Sequence, residues 1–153
     1  MNRDTKIAII RDFVPRLRAQ IADLSPQQLT TPYNAPEWTV AQNVHHLVDS
    51  HMNSYLRFKL ILTEDNAAIR PYDQDAFALL PDAVSADVSY SLHILDGLHT
   101  RWTSMLENIT DWRKAGFHPE LNQPITLDDL LDIYSNHCNA HIRQIQAVID
   151  AMP

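Results

Sequence analysis

A chain of 153 residues, 45% of them hydrophobic, is long enough to form one ordinary domain with a continuous core. Nineteen acidic residues outnumber twelve basic ones, and the net charge of −7 argues against a nucleic acid or an anionic membrane as partner. Only two glycines accompany nine prolines, which favours long helices over a turn-rich β architecture. We therefore expect an all-α protein with a single domain over residues 1–153.

The remaining composition bears on the compartment. The one cysteine, Cys138, cannot form an internal disulfide, and the first residues carry no signal-peptide pattern. Charged residues interrupt every apolar stretch, so no membrane-spanning segment is predicted. These features predict a cytoplasmic protein.

The first helix is predicted from Asp4 to Leu24, with Pro15 as the candidate for a kink. Ser25 and Pro26 then offer an N-cap followed by proline at the first helical position, which predicts a short extra turn over residues 27–29. The apolar residues of the first helix recur at steps of three and four, the spacing of one buried stripe: Ile7, Ile10, Val14, Leu17, Ile21 and Leu24.

The second helix is predicted to begin after Thr39, which forms a capping-box pattern with Gln42, and to run to about Leu62. One face is apolar and is expected to enter the core. The other face is polar and is expected to line a cavity. Its members are Gln42, Asn43, His46, Asp49, Ser50 and Asn53.

The second half of the chain predicts two more long helices. A connection over residues 63–85 contains at most a short helix near residues 75–79, and its length is typical of a lid or of a non-sequential helix order. The third helix is predicted over residues 86–109. Residues 114–125 indicate an irregular or hairpin excursion, and Thr126 caps a fourth helix that runs to about Asp150.

Two histidines on the fourth helix are candidate metal ligands. His137 and His141 are four residues apart on the inward face, so their imidazoles can close on one metal ion. The alternative is a pair of core histidines that hydrogen-bond to the second helix. A third ligand could be His45, His46 or His51, and helical periodicity does not choose among them.

A resemblance to a known family bears on that choice. Trp38-Thr39, followed by His46-Leu47 and Asp49, resembles the second-helix motif of the DinB/YfiT-like superfamily. Further segments resemble its YfiT branch, and together they cover Leu29 to Ile142: residues 49–55, 57–59, 62–66, 71–72, 98–99, 101–102 and 117–120.

The resemblance implies a four-helix bundle of the DinB/YfiT-like type with long crossover connections, often assembled as a homodimer. It implies one divalent ion per chain, nickel or zinc, bound by His46, His137 and His141. The chain departs from the YfiT branch in two ways. It begins nearly at the first helix, and it carries Tyr134 where members tend to have another histidine.

Characterised members of the superfamily are S-transferases that use bacillithiol, mycothiol or glutathione, although many were first labelled metal-dependent hydrolases. The resemblance therefore implies that a low-molecular-weight thiol, activated on the metal, attacks a small electrophilic substrate. A hydrolase with water as nucleophile and a non-catalytic metal-binding bundle are the alternatives.

Several other residues are candidates for roles around that site. Zinc hydrolases of the His-Glu-x-x-His type carry a general base directly after the first histidine, where this chain has Cys138, predicted to be a small buried filler. Asp49 is the predicted catalytic residue, as a partner that orients an imidazole or as a base. Lesser candidates are Arg57 or Lys59 for the carboxylates of a thiol, and His118 as a loop residue over the site. A surface or core packing role is expected for His93 and His99.

Overall fold

The computed structural model describes residues 1–153 as a helical bundle that carries one β-hairpin. The four-helix bundle predicted from the sequence is confirmed. The elements in chain order are α1 (Arg3–Arg11), α2 (Phe13–Ile21), α3 (Pro26–Thr30), α4 (Val40–Thr63), α5 (Gln74–Phe77), α6 (Ser89–Glu107), β1 (Ala115–His118), β2 (Gln123–Thr126) and α7 (Leu127–Asp150).

The four bundle helices do not pack in chain order. Helix α1 packs against α6 and α7, and α4 packs against the same two helices. The broken first helix, α1 with α2, thus lies diagonally opposite α4, and α6 lies diagonally opposite α7. Connections that join diagonal helices must cross an end of the bundle, as the segments from α2 to α4 and from α6 to α7 do. The segment from α4 to α6 is longer still although it joins neighbouring helices, so a non-sequential helix order does not account for its length.

Reciprocal caps fix where the two longest helices begin. The Thr39 hydroxyl accepts from the backbone N–H of Gln42, while the side-chain oxygen of Gln42 accepts from the backbone N–H of Thr39. Thr126 and Asp129 form the same box at the start of α7. Each box satisfies two backbone donors that a starting helix leaves unpaired. The predicted bounds of these two helices are therefore correct to within a residue or two.

The break in the first helix differs from the prediction. The sequence places a kink at Pro15, whereas the helix ends at Arg11 and restarts at Phe13, with Asp12 between the two parts. Proline has no backbone donor and its ring clashes with the carbonyl four residues earlier, so the disruption falls before the proline. Pro15 then sits in the first turn of α2, where a missing donor costs little.

The third bundle helix is shorter than predicted, since α6 begins at Ser89 instead of Ala86 and ends at Glu107 instead of Ile109. Before it, the Ser85 hydroxyl accepts from the Asp87 amide and the Asp87 carboxylate accepts from the Ser89 amide. Such side-chain bonds hold the backbone in a turn and delay the helix.

One hydrophobic cluster of 29 buried residues fills the space between the bundle helices. No helix is both long enough and apolar enough to cross a membrane. The unusual feature of this interior is its imidazole content. Five histidines are buried: His45, His46, His51, His99 and His141.

Candidate metal centre

Three imidazoles converge where α4 faces α7, as the sequence and the resemblance predict. The Nε2 atom of His137 lies 3.3 Å from Nε2 of His46 and 3.1 Å from Nε2 of His141. The three side chains can each offer one ligand atom within 4.8 Å of the other two. This arrangement, called the histidine triad below, has the size and donor type of a site for one transition-metal ion.

The triad forms because each helix has little freedom to turn. Val44 and Leu47 on α4 and Ile145 on α7 are fully buried, so both helices hold their apolar stripes in the core. His137 and His141 are one turn apart and present the same face of α7. Their neighbour Trp38 packs against His46 with ring centroids 4.7 Å apart, which closes one side of the site.

Two of the three rings have a partner at Nδ1, the nitrogen that points away from the centre of the triad. Nδ1 of His141 lies 2.8 Å from Oδ1 of Asn43, whose amide nitrogen donates to the Thr39 carbonyl at 2.9 Å. Nδ1 of His137 lies 3.1 Å from Nε2 of His51. Hydrogen bonds of this kind to the distal nitrogen orient a metal-ligating imidazole. Nδ1 of the third ring, His46, is buried and has no partner.

The triad is neutral at pH 7. Burial lowers the pKa of His46 to about 4, that of His141 to about 3 and that of His137 to about 2. The charges of neighbouring imidazoles add to the effect on His137 and His141. Neutral rings keep the lone pairs that a metal ion requires.

The triad opens into a cleft of about 520 Å³. Its charged lining residues are both acidic, Glu37 and Asp75, and no lysine or arginine reaches it. Asp75 stands close enough to His46 to oppose the fall in the pKa of that ring. One wall is the outer part of α7, from Ala140 to Val148. The cleft has the volume of a small-molecule site and a negative bias.

The structure does not bring the predicted catalytic residue, Asp49, into contact with the triad. Its side chain is half-buried and makes no hydrogen bond to any of the three rings. Burial raises the pKa of Asp49, and the nearby carboxylate of Asp82 adds to the rise. A catalytic role for Asp49 stays a prediction without a geometric partner.

The other minor candidates also lie away from the cleft. The Arg57 guanidinium donates to the Tyr134 hydroxyl at 2.9 Å and to the Arg70 carbonyl at 2.7 Å. His118 accepts from the Leu121 amide within the hairpin. Lys59 is exposed over the ring of Tyr55. None of the three candidates lines the cleft.

Two packing assignments made from the sequence can be compared with the structure. Cys138 is fully buried, and burial raises the pKa of its thiol, so it is a core filler and neither a ligand nor a base. His99 is also buried, but it bonds to His51, a contact between α6 and α4 that sequence reasoning missed. His93 is exposed.

Sequence reasoning also missed the two acidic residues of the cleft and gave Asn43 no specific role. Glu37 and Asp75 lie in irregular or barely helical segments, where periodicity carries no information about which side chains meet. Asn43 was placed on the correct polar face, and only packing reveals that it holds His141.

Comparison with models of known protein families identifies the family of this chain. The family model of the DinB superfamily matches residues 13–145. The chain belongs to the DinB superfamily. The match includes all three triad histidines, so the resemblance argued from the sequence motifs is confirmed.

Individual relatives narrow the position within the superfamily. The protein is 44% identical over 145 residues to YfiT of Bacillus subtilis, named "Putative metal-dependent hydrolase YfiT", which covers 94% of this chain and 82% of the relative. It is 44% identical over 128 residues to a "Putative metal-dependent hydrolase" of Bacillus pumilus, covering 82% of this chain and 73% of the relative. The YfiT branch is thereby confirmed.

A solved structure shows the same fold. The structure of Bacillus subtilis YfiT, described as a probable metal-dependent hydrolase with an unusual four-helix bundle topology, superposes on this DinB-superfamily protein with a TM-score of 0.91. The match covers 95% of this chain and 85% of YfiT at 43% identity. The diagonal order of the helices is thus found in a bundle whose topology was noted as unusual.

Proposed function

We propose that this DinB-superfamily protein is a metal-dependent S-transferase. It holds one divalent ion, nickel or zinc, between His46, His137 and His141, and transfers a low-molecular-weight thiol to a small electrophilic substrate. The observation that supports this proposal is a triad of neutral imidazoles at an open cleft, with no carboxylate hydrogen-bonded to any of the rings.

The residues present fit a metal ion. The three Nε2 atoms converge, and the distal nitrogens of His137 and His141 are already engaged elsewhere. Imidazole suits both nickel and zinc, so the donor set does not choose between them. A bound divalent ion supplies Lewis acidity, which lowers the pKa of a thiol or a water molecule in the remaining position.

Residues of the chain shape the space beside the triad. Trp38 covers one side of His46, and Asn43 holds His141 toward the cleft. The cleft volume is sufficient for a small thiol beside a second compact substrate. Glu37 and Asp75 can accept hydrogen bonds from an amino group, and no basic side chain there offsets their charge. We infer a thiol that presents an amine or neutral polar groups to this wall.

A hydrolase is the second candidate because the relatives carry that name. Hydrolysis is helped by a general base, which a thiol activated by a metal does not need. The position after His137 holds the buried Cys138, and Asp49 makes no contact with the triad. Among carboxylates, Asp75 is the better placed base, since it lines the cleft near His46.

The deciding experiment uses one activated aryl halide and protein loaded with zinc or nickel, with and without added thiol. We expect conjugate formation that requires both thiol and metal and is lost in His46→Ala. Asp49→Asn should lower the rate by far less than the roughly hundredfold loss that follows removal of a general base.

Other outcomes would select the alternatives. Product formed from water alone, at a rate indifferent to thiol and severely reduced by Asp49→Asn or Asp75→Asn, would establish the hydrolase. A non-catalytic bundle would show no turnover across a panel of thiols and electrophiles, while removal of the ion lowered its melting temperature. The homodimer implied by the resemblance stays a prediction, tested by analytical ultracentrifugation.

A further inference from the structure

A line of hydrogen bonds runs through the core from the back of the triad to helix α1. Nδ1 of His137 lies 3.1 Å from Nε2 of His51. Nδ1 of His51 lies 2.8 Å from Nε2 of His99. Nδ1 of His99 lies 2.7 Å from the carbonyl oxygen of Ile10. We call these three rings and the terminal carbonyl the imidazole chain.

The carbonyl end gives the imidazole chain one direction. A carbonyl oxygen only accepts, so Nδ1 of His99 must carry a proton. A neutral ring has one such proton, so Nε2 of His99 accepts from Nδ1 of His51. By the same step, Nε2 of His51 accepts from Nδ1 of His137. The last ring, His137, is left with a bare Nε2. This atom faces His46 and His141, and it lies 3.4 Å from the Ser50 hydroxyl, which can donate to it.

Neither inner ring can take up an extra proton without breaking this order, because each nitrogen-to-nitrogen contact has room for one hydrogen. Their surroundings agree. His51 and His99 are 0% and 3% exposed, between the rings of Phe13 and Trp102. Burial lowers the pKa of both, to about 4 for His99. No carboxylate touches either ring.

The Ile10 carbonyl is available for this purpose because of where α1 ends. Ile10 lies in the last turn, just before the break at Asp12. The last four carbonyls of a helix have no amide within the helix to accept from, and a buried one must find another donor. Ile10 is fully buried, and its carbonyl accepts from the His99 ring at 2.7 Å in addition to the cap contact from the Asp12 amide.

A second ligand reaches the same state by an independent route. The Asn43 amide nitrogen donates to the Thr39 carbonyl, which leaves Oδ1 as the acceptor for Nδ1 of His141. His141 therefore also presents a bare Nε2. Two routes that begin at different backbone carbonyls, those of Ile10 and Thr39, impose the same tautomer on both ligands of α7.

We propose that His51 and His99 are positioning residues that hold His137 in its Nδ1–H tautomer, so that the Nε2 lone pair faces the site before any metal binds. The inference rests on the metal site of the proposed function and not on its thiol chemistry. Without the imidazole chain, His137 could adopt the Nε2–H tautomer that free histidine prefers, which would place a proton where a ligand bond must form.

The tautomers can be read directly in the full-length, metal-free protein. Long-range proton–nitrogen NMR spectra of histidine labelled with ¹⁵N distinguish a protonated ring nitrogen from a bare one. We expect Nδ1–H for His51, His99, His137 and His141 at neutral pH. An Nε2–H tautomer at His137 or His51 in the wild-type protein would overturn the proposal, whatever the variants do.

Two variants of similar size test the cause. His99→Leu removes the acceptor for His51, whereas His99→Gln restores one through its amide oxygen. We expect His99→Leu to weaken zinc binding by about tenfold or more, in the range known for partners of metal ligands, and to populate Nε2–H at His137. His99→Gln should stay near wild type in both readouts. His93→Leu, at an exposed position of the same helix, is the matched control.

The outcomes separate this inference from the proposed function. Equal weakening by His99→Leu and His99→Gln, with Nδ1–H retained at His137, would mean that His99 acts through packing alone and would overturn the inference. If the wild-type protein bound no zinc in a titration against a competing chelator, the metal site of the proposed function would be wrong instead. Absent thiol transfer with intact zinc binding would leave the imidazole chain in place and remove only the transferase.

Discussion

The histidine triad and the buried pair formed by His51 and His99 are built from the same residue type on neighbouring parts of one bundle, yet only the triad can bind a ligand. Four of the five rings are buried and His137 is half-buried, and burial lowers the pKa of all five. In the pair, every ring nitrogen is already bonded to a protein atom. In the triad, Nε2 of His137 faces Nε2 of His46 and of His141 at the end of a cleft, with the Ser50 hydroxyl 3.4 Å away. Buried histidines alone therefore do not make a metal site. The site also requires nitrogen lone pairs that a ligand can reach from the cleft.

The largest effect is expected when the central ring of the triad is removed, which tests whether the triad binds the ion. His137 lies between the other two ligands, so His137→Ala leaves two imidazoles and should abolish the bound ion. Elemental analysis of protein purified without a metal-affinity tag should find one divalent ion per wild-type chain and none in the variant. His93→Ala should keep its ion. Stoichiometric metal in His137→Ala would show that the triad is wrongly assigned.

The next effect tests whether a ligand needs its partner behind it. Asn43→Leu keeps the side-chain volume but removes the oxygen that holds His141. We expect zinc affinity to fall by about 10–100-fold in a competition titration. Asn53→Leu, on the same helix, is the control, because the Asn53 amide bonds only to the Asp49 backbone. Equal losses in the two variants would assign the effect to a general disturbance of α4.

In the metal-free protein, the triad and the buried pair should affect the pH dependence of the free energy of unfolding in the same way. Buried histidines stay neutral in the folded protein while those of the unfolded chain take up protons below about pH 6.5. Unfolding therefore binds protons between about pH 6.5 and 4, and the free energy of unfolding should fall as pH falls through that window. Each histidine that stays neutral contributes about 1.4 kcal/mol per pH unit at most.

Urea unfolding of the metal-free protein at pH 7, 6 and 5 measures this slope. His137→Ala and His99→Leu should each reduce the slope by the contribution of one histidine, although only His137→Ala removes a metal ligand. A free energy of unfolding that does not change between pH 7 and pH 5 would contradict neutral burial in both groups.

The smallest expected effect concerns the open side of the triad. Neutralising the cleft with Glu37→Gln and Asp75→Asn together should reduce the preference for cysteamine over 3-mercaptopropionate, measured as the ratio of kcat/KM values. Exposed charge pairs contribute up to about 1 kcal/mol, so a change of about fivefold is expected. Glu64→Gln with Asp65→Asn makes the same charge change at exposed positions that do not line the cleft, and it should leave the ratio unaltered.

Local patterns in the sequence were enough to predict the helices and the faces they present. Apolar spacing, the capping-box pattern at Thr39 and the N-cap Thr126 placed α4 and α7 to within a residue or two, because these signals are encoded over three or four neighbouring positions. The same local rule placed His137 and His141 on one inward face.

Which residues those faces contact depends on how the helices pack, and it became visible in the folded chain. His46 and His51 are five residues apart, about 140° around α4 at 100° per residue, so both can be buried while pointing to different neighbours. Periodicity could not choose between them, and the family resemblance did. The partner of His99 is a carbonyl 89 residues away, on a helix that ends early because of Pro15. Such contacts depend on how helices pack across the bundle, and the spacing of residues along one helix holds no record of that.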